Sequence, residues 1–311
     1  MENNTYELLI IGGGPGGVSA GVYAARKRIK TALVTESFGG QSIESEGIQN
    51  WIGTVNISGL DLAKAMETHL RAYASDVVNI MSGKRVRSLE KNGDNFKATM
   101  GTGEEIIAKT VLVTAGSTRR KLDIPGSREF ENKGITYCAS CDGPLYSDSD
   151  VVVVGGGNAG FESAAQLAAY CKKVYILHKN ESFKADEVTV EKVLSKENVA
   201  PVLNAEITSV EGDKFVTAIN YRDKTTGTIV KLPVSGVFVE IGLLPQTSFL
   251  GEIAEKNQIG QIIVDPKTQR SKTLGIWAAG DCTDGLYHQN NIASGDAVKA
   301  LEDIYLFLNA Q

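Results

Sequence analysis

Two stretches of the chain share the same order of hydrophobic and polar positions. Each begins with an apolar run of strand length, Tyr6–Ile11 or Val151–Val154, and passes through a glycine-rich turn into a helix of small residues. A second apolar strand follows in both cases. This order is typical of a βαβ unit that binds a dinucleotide. The pattern therefore predicts an α/β fold in which such a unit occurs twice.

The segments between and after these units predict further elements. Leu60–Tyr73 carries apolar positions at helical spacing, and Val77–Thr110 consists of short strand-like segments broken by polar turns, which favours an antiparallel flap. Thr110–Ser117 is typical of a buried strand, and the charged, turn-rich segment after it is the first candidate domain boundary. Asn290–Phe307 predicts a final amphipathic helix.

Length and composition favour a globular protein of two domains. The 311 residues exceed the size at which a single core stops growing, and 42% hydrophobic with 22% charged residues is usual for a soluble chain. The net charge of −5 gives no support to nucleic-acid binding. No secretory signal and no apolar run of about 18 residues is present. We therefore expect a cytoplasmic protein that binds neither membrane nor nucleic acid.

The first glycine-rich turn has the spacing G-x-G-x-x-G, at Gly12, Gly14 and Gly17. In this motif the glycines allow a tight turn, a close approach to pyrophosphate, and packing of the helix on the strand. Glu36 follows 19 residues after Gly17, where an acid accepts a hydrogen bond from a ribose hydroxyl. We call Gly12–Gly17 the first fingerprint, and it suits FAD or NAD.

Two cysteines separated by two residues, Cys138 and Cys141, lie between the two dinucleotide units, with Asp142 directly after them. Such a pair stores two electrons as a disulfide and releases them by thiol–disulfide exchange. A structural zinc site would need four ligands, but Cys171 and Cys282 are isolated and the histidines are scattered, so we expect no metal. The turn-like Asp-Gly-Pro that follows argues against a merely packed pair.

The second glycine-rich turn repeats the first, at Gly155, Gly157 and Gly160, and we call it the second fingerprint. Lys179 lies 19 residues after Gly160, where the first unit has its acid. An acid would repel a 2′-phosphate, whereas a cation accommodates one. The second site therefore favours NADPH. The preference is slight, because a single lysine binds a phosphate weakly.

Two polar features elsewhere have more than one interpretation. The segment with Gly40, Gln41 and Asn50 is either an ordinary surface loop or a loop over a bound ring system. Asp281 ends an apolar strand, where it is either a simple turn residue or an acceptor for hydroxyls of a cofactor. A carboxylate beside a cofactor cleft favours the second interpretation for Asp281.

Across nearly the whole chain these motifs resemble the low-molecular-weight thioredoxin reductases and the flavoprotein subunit of alkyl hydroperoxide reductase. The most specific is the Cys138–Gly143 stretch directly before the second fingerprint. The resemblance also rests on the two fingerprints and on Gly39-Gly40-Gln41, Asn50-Trp51, Thr114–Ser117, Ile124–Gly126, Gly242–Pro245, Gly280-Asp281 and Gln289.

The resemblance implies two Rossmann-like dinucleotide-binding domains of the three-layer ββα type, with the nicotinamide domain inserted into the FAD domain. It implies an FAD domain at residues 1–117 and 245–311, and an NAD(P)H domain that carries the cysteine pair at 118–244. Members of the family are homodimers, in which the nicotinamide domain rotates to bring either NAD(P)H or the disulfide to the flavin.

The resemblance also implies the site residues. The catalytic ones are Cys138, Cys141 and Asp142. Those implied for FAD are Gly12, Gly14, Pro15, Gly17, Glu36, Gly40, Gln41, Asn50, Ala115, Gly116, Asp281, Gln289, Asn290 and Ile292. Those implied for NADPH or NADH are Gly155, Gly157, Asn158, Ala159, Gly160, Glu162, His178, Lys179, Lys184 and Gly242.

The expected function is a disulfide reductase. Electrons would pass from the nicotinamide through FAD to Cys141, freeing Cys138 as the thiolate that attacks a thioredoxin- or glutaredoxin-like protein. Asp142 would move protons, a role that burial favours. Two alternatives are an NAD(P)H oxidase or flavin reductase with dispensable cysteines, and a redox-sensing flavoprotein with a weak nicotinamide site.

Three features depart from the family pattern. The arginines that grip a 2′-phosphate in thioredoxin reductases are replaced in His178-Lys179-Asn180 and at Lys184, and the Glu of the NADH-preferring relatives is replaced by His178. The coenzyme therefore stays open between NADPH and NADH. The usual Tyr-Arg-Gln before the last helix is Tyr287-His288-Gln289. No stretch matches an extra thioredoxin-like domain, so we expect the disulfide partner to be a separate protein.

Overall fold

The backbone contacts divide the chain into two compact units. The computed structural model describes residues 5–45 and 47–310, so the predicted limits at 1 and 311 lie outside the described residues. One unit contains the chain up to Thr118 and from Leu244 onward, and Arg119–Leu243 forms the other, inserted unit. These divisions lie one residue from the predicted limits at 117/118 and 244/245. The cofactor assigned to each unit stays a prediction.

The first unit begins with alternating strands and helices and continues with a run of strands. The strands up to the first division are β1 (Thr5–Ile11), β2 (Thr31–Thr35), β3 (Val78–Ser82), β4 (Val86–Asn92), β5 (Asn95–Met100) and β6 (Glu105–Val113). The helices are α1 (Pro15–Arg26) and α2 (Gly59–Ala74), with a short 3-10 turn at Gly40–Glu44. The helix predicted over Leu60–Tyr73 is thus present as α2, and its Ser58 cap accepts a hydrogen bond from the Asp61 backbone N–H at 3.1 Å.

The inserted unit and the return to the first unit complete the chain. The elements from the first division onward are β7 (Ser117–Arg119), β8 (Ile135–Thr136), α3 (Ala139–Asp142), β9 (Asp150–Val154), α4 (Asn158–Leu167), β10 (Lys173–Leu177), α5 (Glu187–Leu194), β11 (Val199–Val202), β12 (Ala205–Gly212), β13 (Val216–Asp223), β14 (Ile229–Pro233) and β15 (Gly236–Val239). After them come β16 (Leu243–Pro245), β17 (Ile276–Ala278) and α6 (Asn290–Asn309). Within residues 5–45 and 47–310, no helix is long and apolar enough to cross a membrane.

The central parallel strands of the main sheet of the first unit, β1 and β2, are buried on both faces. Its strands are ordered β3-β2-β1-β6-β5-β4, and β17 pairs with β6. Along β1, Leu8 and Ile10 pack on the side of the helices, and Leu9 and Ile11 pack on the opposite side with Phe96. A parallel sheet covered on both faces requires near-continuous apolar strands, which explains the run from Leu8 to Ile11.

The inserted unit repeats this plan around a parallel sheet ordered β11-β10-β9-β15-β8. Val151 and Val153 of β9 pack with Phe161 of α4 on one face. Val152 and Val154 pack on the other face, against residues of the small antiparallel sheet β12-β13-β14. Both units are therefore α/β, as the repeated pattern predicts, and the predicted fold class is confirmed.

The predicted antiparallel flap over Val77–Thr110 is wrong at its first strand. The strands β4, β5 and β6 pair antiparallel, but β3 pairs parallel with β2 and belongs to the βαβ part of the sheet. Because β3 is an edge strand of the sheet, its residues Asn79 and Ser82 are exposed. This mixture of buried and exposed residues resembles that of β4, which follows it.

Candidate functional site

The first fingerprint forms the turn between β1 and α1. A Cβ atom on Gly12, whose φ is +120°, would lie 2.2 Å from the Thr114 carbonyl oxygen, and one on Gly17 would lie 1.9 Å from the Gly12 carbonyl oxygen. Both positions therefore require glycine. At Gly14 the nearest atom to a Cβ would be the Gly40 Cα, 3.9 Å away. The space over Gly14 is open, as a close approach to pyrophosphate requires.

Two helices begin beside this turn. The helix α1 starts at Pro15 after Gly14, and no side chain caps its first N–H groups. The start of α6 is adjacent, because a Cβ on Gly16 would lie 3.1 Å from the Ala293 carbonyl oxygen, and α6 also has no side-chain cap. Uncapped N–H groups and two positive dipole ends make this place suitable for a diphosphate.

Gln41 joins distant parts of the chain at the same place. Its side-chain amide donates hydrogen bonds to the Ser117 hydroxyl at 3.2 Å and to the Asp281 carboxylate at 3.3 Å. The other carboxylate oxygen of Asp281 lies 3.5 Å from Nδ1 of His288. This arrangement brings together two predicted flavin contacts, Gln41 and Asp281. It also adds Ser117, to which the sequence assigned no role.

A second set of hydrogen bonds ties the loop after β2 to the start of α6. The Ser42 hydroxyl donates to the side-chain oxygen of Asn290 at 2.9 Å, and the Asn50 amide donates to that of Gln289 at 3.0 Å. The Asn291 amide returns a bond to the Asn50 carbonyl at 2.7 Å. Three predicted flavin contacts, Asn50, Gln289 and Asn290, are therefore neighbours. This loop is therefore joined to the start of α6, and its contact with a ligand stays a prediction.

The other predicted flavin contacts have less decisive surroundings. Glu36 directly follows β2, but its exposed carboxylate pairs with Arg85 at 3.4 Å. Ala115 and Gly116 follow β6, and Ile292 lies in the first turn of α6. The Arg85 pair was missed because 49 residues separate the two side chains in the sequence.

The cysteine pair lies in the inserted unit and is disulfide-bonded. The Cys138–Cys141 bond closes the short helix α3, which directly follows β8. The backbone N–H of Cys141 donates to Cys138 Sγ at 3.2 Å. A thiolate at Cys138 would be stabilised by this contact, because a hydrogen bond to a charged acceptor is stronger than one to a neutral acceptor.

Polar contacts hold the cysteine helix in place. The Thr136 hydroxyl donates to the Asp142 carboxylate, and the Ser140 hydroxyl donates to the Gln166 side chain of α4 at 3.0 Å. Tyr146 is close to Asp142. Burial, and to a smaller extent the Asp142 carboxylate, raises the pKa of Tyr146 to about 12, so its phenol stays neutral at physiological pH.

The second fingerprint has the same backbone geometry as the first. A Cβ on Gly155, whose φ is +128°, would lie 2.1 Å from the Glu240 carbonyl oxygen, and one on Gly160 would lie 2.0 Å from the Gly155 carbonyl oxygen. A Cβ on Gly157 would meet no atom within 4 Å, and no side chain caps α4 there. This turn therefore also leaves space and free N–H groups for a phosphate.

The side chain of His178 contacts the backbone of the second fingerprint. Its Nδ1 accepts a hydrogen bond from the Gly156 backbone N–H at 3.2 Å, and the side chain is buried. Burial lowers the pKa of His178, and the ammonium groups of Lys184 and Lys179 lower it further. A neutral imidazole with its proton on Nε2 fits this contact, so His178 acts here as a positioning residue of the turn.

The remaining predicted nicotinamide contacts surround the same turn. Asn158, Ala159 and Glu162 are exposed residues of α4, and Gly242, with φ +108°, follows β15. Asn158 also accepts a hydrogen bond from the Asp186 backbone N–H at 2.9 Å.

Within residues 5–45 and 47–310, no three His, Cys, Asp or Glu side chains are arranged to hold a metal.

A half-buried carboxyl next to this turn was missed in the sequence. Glu240 directly follows β15 and accepts a hydrogen bond from the Ser163 hydroxyl at 2.7 Å. Burial raises the pKa of Glu240, and Glu162 adds to the rise, while Ser163 and Arg119 oppose it. A single Glu after an apolar run gives no signal of such a contact, since Ser163 is 77 residues away.

The two other cysteines are unsuited to exchange. Cys171 and Cys282 are both buried and unbridged. Burial raises the pKa of Cys171 to about 11 and that of Cys282 to about 12. Since the thiolate is the reactive form, these side chains are inert at neutral pH.

Comparison with known proteins identifies the family. The model of the pyridine nucleotide-disulphide oxidoreductases matches residues 6–297. The chain belongs to this family. The predicted resemblance to the low-molecular-weight thioredoxin reductases is confirmed.

Solved thioredoxin reductases share the fold over the whole length of this oxidoreductase. That of Streptococcus pyogenes MGAS5005 superposes with a TM-score of 0.89 at 30% identity, covering 100% of both chains. That of Giardia duodenalis gives 0.90 at 31% identity, covering 99% of both.

Curated relatives of this oxidoreductase carry other names. An NADH dehydrogenase of Bacillus subtilis is 41% identical over 96% of this chain, and the F subunit of the alkyl hydroperoxide reductase of Escherichia coli is 38% identical over 96%. The chain spans 58% and 57% of the length of these two proteins. Membership of this family is therefore shared with relatives that carry different names.

Proposed function

We propose that this protein is an FAD-dependent disulfide reductase that transfers electrons from NADPH or NADH to a protein disulfide. The observation that carries the proposal is the Cys138–Cys141 disulfide, which lies in the same unit as the second fingerprint. The family of the chain and the thioredoxin reductases that share its fold support the same function.

The residues of the first unit fit a flavin dinucleotide. The open space over Gly14 and the uncapped starts of α1 and α6 suit its diphosphate, and Asp281 and Gln41 offer polar groups to its hydroxyls. When bound, FAD would supply the two-electron chemistry that links a nicotinamide to a disulfide. The second fingerprint, with its own open position at Gly157, fits the nicotinamide coenzyme.

The cysteines would act in sequence. Two electrons and two protons break the Cys138–Cys141 bond and give two thiols. Cys138, with the Cys141 N–H at its sulfur, loses its proton and attacks a sulfur of the partner's disulfide, which gives a mixed disulfide and a partner thiolate. Cys141 then attacks Cys138, which restores the disulfide and releases the partner as a dithiol. Asp142 would accept and return protons during these steps.

A thioredoxin- or glutaredoxin-like protein is the proposed partner. The solved structures of the same fold are named thioredoxin reductases, and the curated relatives include the F subunit of alkyl hydroperoxide reductase. A homodimer stays a prediction of the family resemblance, and a cytoplasmic location stays a prediction from the sequence.

Anaerobic stopped-flow mixing of the FAD-loaded protein with NADH or NADPH tests the proposal. We expect one coenzyme to bleach the flavin band rapidly, and the reduced protein to reduce a thioredoxin-like disulfide. Cys138→Ser should keep the rate of flavin reduction and lose partner reduction. Partner reduction by Cys138→Ser at the wild-type rate would show that the cysteine assignment is wrong.

A second candidate is an NADH oxidase or flavin reductase, since the relative from Bacillus subtilis is named an NADH dehydrogenase. Its cysteines would be dispensable. Cys141→Ser distinguishes the two functions. NADH consumption with oxygen or free flavin at the full rate in this variant, together with no reduction of protein disulfides by the wild type, would favour the second candidate.

A further inference from the structure

The residue equivalent to Glu36 in the inserted unit is Lys179. The Gly12 N–H bonds to the Val34 carbonyl, two residues before Glu36, and the Gly155 N–H bonds to the Leu177 carbonyl, two residues before Lys179. In a unit of this kind, the residue at this position faces the adenosine ribose of the dinucleotide. Lys179 therefore lies where the 2′ position of the coenzyme would be.

The turn between β13 and β14 of the small antiparallel sheet contacts Lys179. Lys224 lies just after β13, and its Nζ donates to the Lys179 carbonyl oxygen at 3.2 Å. The Lys224 backbone N–H donates to the Asn204 carbonyl at 2.9 Å, and the Asn204 N–H donates to the Asn180 carbonyl at 3.0 Å. The side chain of Lys224 thus contacts the segment that follows β10 directly, and its backbone is joined to that segment through Asn204, which follows β11.

The segments at this position carry three lysines, together with Glu181 and Asp223. Lys179 and Lys184 both lie in the segment that follows β10, and the charges of both lower the pKa of His178. The neighbouring carboxylate of Asp223 is engaged by the Thr225 backbone N–H at 2.8 Å. Lys224 is exposed and keeps two further N–H donors after its bond to the carbonyl oxygen. An anion at the 2′ position would meet three lysines from two segments, Lys179 and Lys184 after β10 and Lys224 after β13.

We propose that Lys224 is a specificity-determining residue for the coenzyme, which binds the 2′-phosphate of NADPH together with Lys179 and Lys184. The inference rests on the proposed function, because it assumes that the second fingerprint binds the nicotinamide coenzyme. It deepens that function by selecting NADPH. Two lysines adjacent to the fingerprint form a thin clamp, and the third comes from the turn of the small sheet.

Titration of the oxidised, flavin-loaded protein with 2′,5′-ADP and with 5′-AMP tests the proposal by calorimetry. These probes differ only in the 2′-phosphate and undergo no redox reaction. We expect the wild type to prefer 2′,5′-ADP, and Lys224→Met to reduce this preference about fivefold, as expected for one exposed ion pair. The affinity for 5′-AMP should not change. Added salt should shrink the difference, because it screens exposed charges.

Two further variants separate charge from structure. Lys224→Arg should retain most of the preference. Lys214→Met removes a lysine from the other end of β13 and should leave both affinities unchanged. An equal loss for both probes in Lys224→Met would assign the residue a purely structural role and overturn the proposal. An unchanged preference in that variant, or a wild type without preference, would also overturn it.

The same protein preparation distinguishes failure of this inference from failure of the proposed function. Flavin reduction by NADH alone, with no preference for 2′,5′-ADP, would leave the disulfide reductase standing and remove the role of Lys224. Preference for 2′,5′-ADP that depends on Lys224, with no flavin reduction by either coenzyme, would support the role of Lys224 and contradict the disulfide reductase.

Discussion

The two fingerprints have nearly the same backbone but different surroundings. Near Gly14, side chains of the loop after β2 form hydrogen bonds with distant segments. Gln41 bonds to Asp281 in the loop between β17 and α6, and Ser42 bonds to Asn290 at the start of α6. Around Gly157, the exposed residues Asn158 and Glu162 face solvent. The first site joins parts of the chain about 240 residues apart, whereas the contacts around the second site span fewer than 90 residues.

This difference matches two ways of using a dinucleotide. A cofactor that stays bound through many turnovers benefits from contacts at many points, since each adds to its residence time. A coenzyme that must leave after each turnover needs an open site. Under the proposed function, the same βαβ unit would bind the retained cofactor in one site and the exchanged coenzyme in the other, and only the residues around the unit differ.

The largest expected effect comes from adding one methyl group to each fingerprint. Gly14 and Gly157 both have extended backbones, with φ −74° and −98°, and a Cβ at either would meet no protein atom closer than 3.9 Å. Alanine should therefore fold normally at both positions. The methyl group would occupy the space expected for pyrophosphate, at a cost of roughly ten- to hundredfold in affinity.

The two alanine variants should separate the ligands. Gly14→Ala should lose flavin, measured as the ratio of flavin to protein absorbance after gel filtration, and Gly157→Ala should keep flavin and bind coenzyme weakly in calorimetry. Each variant serves as the control for the other. Loss of both ligands in either variant would mean that the two sites are not independent.

A smaller effect is expected from the polar groups that enclose the first site. Asp281→Asn keeps the shape of the side chain but removes the charge beside Gln41 and His288. We expect flavin release in dilute urea to accelerate about tenfold, since a hydrogen bond to a charged group is worth about 1.5–3 kcal/mol. Coenzyme affinity should not change.

Asp284→Asn is the matched control for this change. Its carboxylate lies in the same loop but accepts a hydrogen bond from the Val264 backbone N–H at 3.1 Å. If Asp284→Asn accelerates flavin release as much as Asp281→Asn does, the effect belongs to the loop as a whole and not to Asp281.

The comparison also shows which features the sequence can predict. The apolar strands and the glycine spacings predict both turns, because a Cβ on Gly12 or Gly155 would clash with backbone in any such unit. The contacts of Gln41 with Asp281 and of Lys224 with Lys179 depend on how distant segments meet, so no local pattern announces them. The strand β3 was misjudged because an edge strand of a parallel sheet and a strand of an antiparallel sheet can expose residues in the same way.

The smallest expected effect concerns equivalent positions beside the two turns. The Thr114 N–H bonds to the carbonyl of Ile11 at the end of β1, and the Glu240 N–H bonds to that of Val154 at the end of β9, both at 2.8 Å. The Thr114 hydroxyl, which is uncharged, donates a further hydrogen bond to the Ile11 carbonyl at 3.0 Å. The second unit thus carries a titratable carboxyl where the first has a neutral hydroxyl.

Glu240→Gln should remove the dependence of stability on pH at this position. Because burial raises the pKa of Glu240, its contribution to stability is fully present below the ordinary value of 4.5 and is lost as the pH rises through the folded-state pKa. The variant keeps an acceptor for Ser163 and carries no charge. We expect its melting temperature to match that of the wild type near pH 4.5 and to exceed it at pH 8 by roughly 2–4 °C, which is about 1 kcal/mol. A difference that is constant across this range would mean that the Glu240 carboxyl titrates alike in the folded and unfolded chain, and one that shrinks as the pH rises would mean that folding lowers its pKa.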